Sequence, residues 1–253
     1  MQVQENDALA EWFESPRGKY VLSWEQAQVD NAVDDVFGFH AVQVGLPGID
    51  FLRENRMSLK IRAGNGALST LQCSPEHLPL ASHSIDLLVL PHVLEFSDNP
   101  HQILREAERV LMPEGQVVIC GFNPLSLWGL RRRVGATLGW NKGAYPWEGK
   151  FIGLLRLKDW LSLLGFELNG GRFGCYAPPF AQSSWLQRSD FMEKAGERWW
   201  PIAGGIYTVR AVKRHVGMRI VTPTWRDSRA KPRALVQVAR RDNVIHVRPA
   251  PRR

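Results

Sequence analysis

Apolar and polar positions divide the chain into a helical start, an alternating strand–helix middle and an aperiodic end. Within residues 8–39, ALAEWF puts Leu9, Trp12 and Phe13 on one helical face. Ser15-Pro16-Arg17-Gly18 interrupts that pattern. Ser23 then has the form of an N-cap, with Gln26 three residues on as in a capping box, and Val29, Val33, Val36 and Phe37 share a face up to Gly38. The apolar run 41–44 meets Gly45 and the turn Leu46-Pro47-Gly48, which predicts a strand, a glycine turn and a short helix over about 49–55. Further strands are expected at 58–62 and about 69–73. The clearest signal is Leu87-Leu88-Val89-Leu90, a continuous apolar run of the kind a buried parallel strand needs. A helix over 101–111 follows, with Ile103, Leu104, Ala107, Val110 and Leu111 on one face. Met112-Pro113-Glu114-Gly115 stops it, and 116–121 is the next buried strand.

Strand, crossover helix and parallel strand form a βαβ unit, right-handed by default. Repetition predicts an α/β fold, a doubly wound sheet with helices on both faces. Ligands in such sheets sit at the carboxyl ends of the strands. That singles out four loops, at 45–48, 73–76, 91–95 and 121–124. Downstream, Leu157, Trp160, Leu161 and Leu164 mark a helix stopped by Gly165. Residues 166–168, 173–176 and 206–212 are strand candidates, and 185–200 a helix. After about Val221 periodicity ends.

Charge sharpens this division. The net charge is +7, from 32 Lys and Arg against 25 Asp and Glu. Residues 225–253 hold nine basic and two acidic side chains, so nine minus two gives the whole excess, and residues 1–224 balance at 23 against 23. The expected organisation is an N-terminal helical cap (1–39), a domain (40–221) and a basic, flexible tail (222–253). The tail suggests weak contact with nucleic acid or an anionic surface. Trp128 to Arg133 could be a lid or a contact to anionic substrate or membrane, against the plainer reading of a solvated basic helix end. No basic, apolar leader opens the sequence and no apolar run reaches the length of a membrane span, which predicts a cytoplasmic protein. Cys73, Cys120 and Cys175 are far apart, so reduced thiols are expected. The histidines do not cluster with them, so no metal is expected.

Four stretches together resemble the centre of a class I S-adenosylmethionine-dependent methyltransferase of the type 11-like kind. Leu78-Pro79-Leu80 is similar to that family's step before strand 4, and Ile85-Asp86-Leu87 to its strand entry. His92-Val93-Leu94-Glu95 is similar to its post-strand histidine-x-leucine-glutamate. Arg109 to Gly115 is similar to its arginine-valine-leucine-x-proline-glycine-glycine turn. The specific matches cover about 50 residues. The resemblance implies a Rossmann-like, mostly parallel sheet of seven strands, with the last one antiparallel. It also implies S-adenosyl-L-methionine as cofactor and a small-molecule acceptor.

The same alignment names the expected cofactor contacts: Gln43, Gly45, Gly48, Asn65, Ser74, Pro75, Glu76, Leu78 and Pro91. His92 could be a general base near the acceptor, since its ordinary pKa suits that task, or a loop histidine that caps or packs. Glu95 could orient the acceptor or the methionine amine, or be a first-turn charge favoured by the helix dipole. The first cofactor motif departs from the family. Gln43 replaces the acid ending strand 1, Pro47 falls on a loop glycine, and no Asp or Glu lies between Glu54 and Glu76. Ser74 stands at the usual adenine aspartate. Three functions follow: methyl transfer, a methyltransferase-like binding protein without cofactor affinity, and nucleic-acid association through the tail.

Overall fold

The computed structural model describes residues 2–141, 146–179 and 190–214. Seven strands make one sheet: β1 (His40–Val44), β2 (Leu59–Gly64), β3 (Leu71–Gln72), β4 (Ile85–Pro91), β5 (Leu111–Phe122), β6 (Phe166–Gly174) and β7 (Ile206–Lys213). Their order is β3-β2-β1-β4-β5-β7-β6. The pairs β1–β2, β1–β4, β2–β3 and β4–β5 are parallel, and β7 runs antiparallel between β5 and β6. This is the Rossmann-like arrangement expected from the sequence. The order reverses between β1 and β4, a switch point where a crevice opens beyond the strand ends.

Both faces are covered. On one, Val42, Leu88, Leu90, Val117 and Ile119 pack against α3 (Pro100–Val110) and α5 (Leu154–Leu163). On the other, Ala41, Leu87, Val89 and Val118 meet Leu9 and Phe13 of α1 (Gln2–Glu14) and Val21, Val29 and Val33 of α2 (Pro16–Val33). The N-terminal helices thus supply one wall of the core. The chain continues through α4 (Leu127–Thr137) and α6 (Asp190–Trp199). Residues 1–216 form one compact unit; the predicted tail, like residues 185–189 of the predicted last helix, lies outside the described residues.

Several local expectations change. Ser15, not Ser23, is the N-cap of α2: its hydroxyl accepts from Gly18 N at 3.1 Å, with Pro16 beginning the helix. Ser23 lies inside the helix and donates to Tyr20 O. The helix ends at Val33, before Gly38. No helix forms over 49–55. Side chains engage the backbone there: Ile49 O accepts from Gln43, Phe51 N donates to Gln43 and Leu52 N to Asp50, while Asn55 reaches back to donate to Val33 O and Val36 O. Phe51 and Leu52 turn into the core instead. The candidates at 166–168 and 173–176 merge into β6, whose register slips between Leu168 and Gly170.

The motif residues that carry the resemblance act mainly as clamps. Arg109 donates to Leu78 O and Leu80 O, at 2.9 and 2.8 Å, and pairs with Glu106, which in turn accepts from Leu78 N. Asp86 accepts from Phe39 N and His40 N at the start of β1.

Candidate functional site

At the end of β1, Gln43 is fully buried and both ends of its amide are engaged. Its Nε2 faces three carbonyl oxygens, of Gly45, Leu46 and Ile49, at 3.0, 3.0 and 2.8 Å, and its Oε1 accepts from Phe51 N. A carboxylate offers acceptors only. The loop here therefore wraps around a donor, with its carbonyls turned inward. Leu46 sits at φ 45° and Gly45 at φ 89°. A Cβ on Gly45 would lie 2.6 Å from Val93 Cγ2, so this glycine admits the loop after β4. Gly48 is more open: a Cβ there would meet only Leu68 Cδ1, at 3.3 Å.

The neighbouring strand end offers neutral groups. Arg62 donates to Pro47 O at 3.1 Å, tying β2 to the first loop. Asn65 is half-buried beside it. Gly64 borders Gly45, and a Cβ on it would approach the Ser69 hydroxyl at 3.4 Å. That hydroxyl is buried and has no hydrogen-bond partner. The sequence reading placed Ser69 at the start of a strand and missed it as a site residue, because only the fold brings it against the ends of β1 and β2. In the next loop Glu76 is half-buried and accepts from Ser97 Oγ at 2.9 Å, while Ser74 Oγ accepts from Glu76 N. Pro75, Leu78 and Pro91 are buried; Leu78 belongs to the core.

After β4 the chain turns through His92 at φ 53°. The two predicted catalytic residues do meet: His92 Nδ1 lies 3.1 Å from Glu95 Oε2. A third group, missed from sequence, completes the cluster. Glu25 reaches down from α2 and places Oε1 2.5 Å from His92 Nε2. Only the packing of α2 against the strand ends could have revealed it. Glu95 Oε1 also accepts from Phe122 N, and the ring of Phe122 lies 4.5 Å from that of His92. All three side chains are at most 1% exposed. Burial works against a charge on His92, but the carboxylates of Glu25 and Glu95 outweigh it and push its pKa up to about 10. Burial also pushes the Glu25 carboxyl up, with His92 opposing. At neutral pH the histidine is therefore cationic and clamps the helical cap to the sheet. Nearby, burial holds the Cys120 thiol and the Tyr207 phenol in their neutral forms. Cys73, Cys120 and Cys175 are free thiols, and no group of metal-binding side chains occurs among the described residues.

Sheet order, switch point and the loops gathered beyond it define a methyltransferase-type domain, and the chain belongs to the class I S-adenosylmethionine-dependent methyltransferase family. Residues 40–119 match the family model described as a methyltransferase domain. The chain is similar to the uncharacterized protein YafS of Escherichia coli (strain K12), at 35% identity over 165 residues, 64% of this chain and 67% of that protein. A SAM-dependent methyltransferase from Thermotoga maritima shares the fold, with TM-score 0.56, 19% identity and coverage of 81% of this chain and 93% of that one. The complex of the Haloferax volcanii Trm112 methyltransferase activator with a methyltransferase gives TM-score 0.57 at 14% identity, over 84% and 98% of the two chains.

The residues at the ends of β1 and β2 fit the family's cofactor through uncharged contacts. One observation carries the fit, the unpartnered Ser69 hydroxyl; the adjacent Gly48 and Gly64 leave room beside it, a Cβ there meeting its nearest neighbours at 3.3 and 3.4 Å.

Proposed function

We propose that the chain transfers a methyl group from S-adenosyl-L-methionine to a small-molecule acceptor. The buried, unpartnered hydroxyl of Ser69 beside the two glycines carries this reading, because a polar group left unmatched there is satisfied by a nucleoside hydroxyl. Asn65, Ser69, Ser74 and Glu76 would hold the cofactor, with the backbone of 45–48 and Pro91 alongside. When bound, the cofactor supplies an electrophilic methyl on a sulfonium. Gln43 shapes the first loop rather than touching the ligand. Leu78 acts through the core.

Methyl transfer rests on in-line positioning more than on acid–base machinery. His92 keeps its proton at neutral pH, so its role is to position the cap and the loop after β4, with Glu25 and Glu95 as partners. The reading therefore favours an acceptor whose nucleophile carries a lone pair without a strong base. Each missing carboxylate forgoes a charge-assisted hydrogen bond worth about 1.5–3 kcal/mol, which predicts weak binding. Titration calorimetry with S-adenosylmethionine and S-adenosylhomocysteine tests this. Binding in the range of about tens to hundreds of micromolar is expected. No binding at millimolar ligand overturns it.

A second reading has its own support. The inward-turned carbonyls around Gln43 and the uncharged end of β2 suit a binding protein that holds its ligand without turnover. This is the reading without cofactor affinity, and a folded protein that binds neither S-adenosylmethionine nor S-adenosylhomocysteine at millimolar ligand would favour it.

A further inference from the structure

One face of α4 points outward. Leu127, Leu130, Val134 and Leu138 follow helical spacing and are 50, 55, 45 and 53% exposed, while Trp128, Gly129 and Gly135 on the other side are buried. Leu125 and Trp140, each 64% exposed, extend the strip at both ends. A second exposed group joins it from a distant part of the chain. Trp199, Trp200 and Ile202 are 70, 66 and 62% exposed. Asn123 ties the two segments together, donating to Ile202 O and Gly204 O at 2.7 and 2.9 Å while accepting from Leu125 N. The exposed segment 199–202 is thus tied to the loop that leads into α4.

Along the chain, the charge on and around α4 is one-sided up to Glu148, while Glu197 precedes the Trp199-Trp200 pair. Residues 115–147 contain no Asp or Glu, yet include Arg131, Arg132 and Arg133. Arg131 lies over Trp147 at 4.9 Å and Arg132 over Phe151 at 5.3 Å, and none of the three arginines pairs with a carboxylate among the described residues. An apolar helical face with tryptophans at its margins and unneutralised arginines along its flank suits the boundary of an anionic bilayer. A second copy is a poorer occupant, since an isologous contact would set two arginine triplets against each other without counter-charge. No helix among the described residues is long and apolar enough to cross a membrane, so the contact is peripheral.

We infer that the α4 face, with Trp199, Trp200 and Ile202, docks the protein on an anionic lipid surface. The helix starts five residues after β5 ends, so the docked face lies beside the carboxyl edge of the sheet.

Co-sedimentation of the full chain with phosphatidylcholine vesicles, with and without phosphatidylglycerol, tests the inference. The reference is the double variant Leu130→Glu/Trp140→Glu. Both positions are more than half exposed, so its thermal melt should match the parent's. If it does not, Leu127→Gln/Val134→Thr takes its place. Parent and variant both carry the nine basic residues of 225–253, so the tail's contribution is common to the two and the comparison is made at the same moderate salt. The parent should bind the phosphatidylglycerol vesicles, with an emission blue shift, and the variant should bind about ten-fold or more weakly. Equal binding of variant and parent, or no binding by the parent, overturns the inference. So does self-association that the variant abolishes in the absence of any vesicle binding.

Discussion

His92 holds a left-handed backbone conformation, uncommon outside glycine, and lies between two buried carboxylates. Removing one partner strands charge in the core, so Glu25→Ala should cost about 3–5 kcal/mol in urea unfolding. The pH dependence follows from the sign of the shift. The histidine pKa is raised from 6.5 to about 10, so its stabilisation is complete below 6.5 and lost as pH climbs through 10. The melting temperature should fall between neutral and alkaline pH, and Glu25→Gln should flatten that fall; an unchanged slope would separate the histidine from the effect. Ser69 makes the opposite kind of prediction. Ser69→Ala removes a buried hydroxyl with no partner, so the free protein should be as stable or more so, while cofactor binding weakens by about 0.5–1.5 kcal/mol, read by calorimetry.

At the level of elements, one tight constraint is the elbow between α1 and α2. A Cβ on Gly18 would run into the backbone of Trp12 and Phe13. Gly18→Ala should therefore destabilise by about 1–3 kcal/mol despite its better helix propensity, measured as a shift in urea midpoint at constant slope. The elbow also marks where the sequence was readable. Strand β4, the 116–122 part of β5 and helix α3 were legible because their apolar periods match the burial they reach, whereas Leu111 and the exposed residues 112–114, expected as helix end and turn, open β5 instead. The stretch 49–55 was not, since Asp50, Asn55 and Gln43 form bonds whose partners lie on other turns and on α2. For the site, spacing brought His92 and Glu95 together on paper. Glu25 lies 67 residues from His92 and Ser69 carries no motif, so neither could be found without the packing.

For the whole molecule, the balanced body and the +7 excess of 225–253 separate two kinds of surface chemistry. Nucleic-acid binding driven by the tail alone should weaken steeply with salt and vanish on deleting residues 225–253, in filter-binding or anisotropy titrations. Binding that survives the deletion would move the charge effect to the body. The N-terminal helices, by contrast, belong to the body: they wall the core and supply Glu25.

The amide at Gln43 bears on how such a chain can change over time. Placing Glu there, the residue type the family uses, would aim carboxylate oxygens at three carbonyl oxygens that now stand within 3.0 Å of a donor. Gln43→Glu is therefore expected to lower stability, by about 1–3 kcal/mol, rather than restore tight cofactor binding. Loop and side chain have become mutually dependent, so a single reversal leads downhill. A path back to the family's chemistry has to remodel 45–51 before, or together with, the residue that now anchors it.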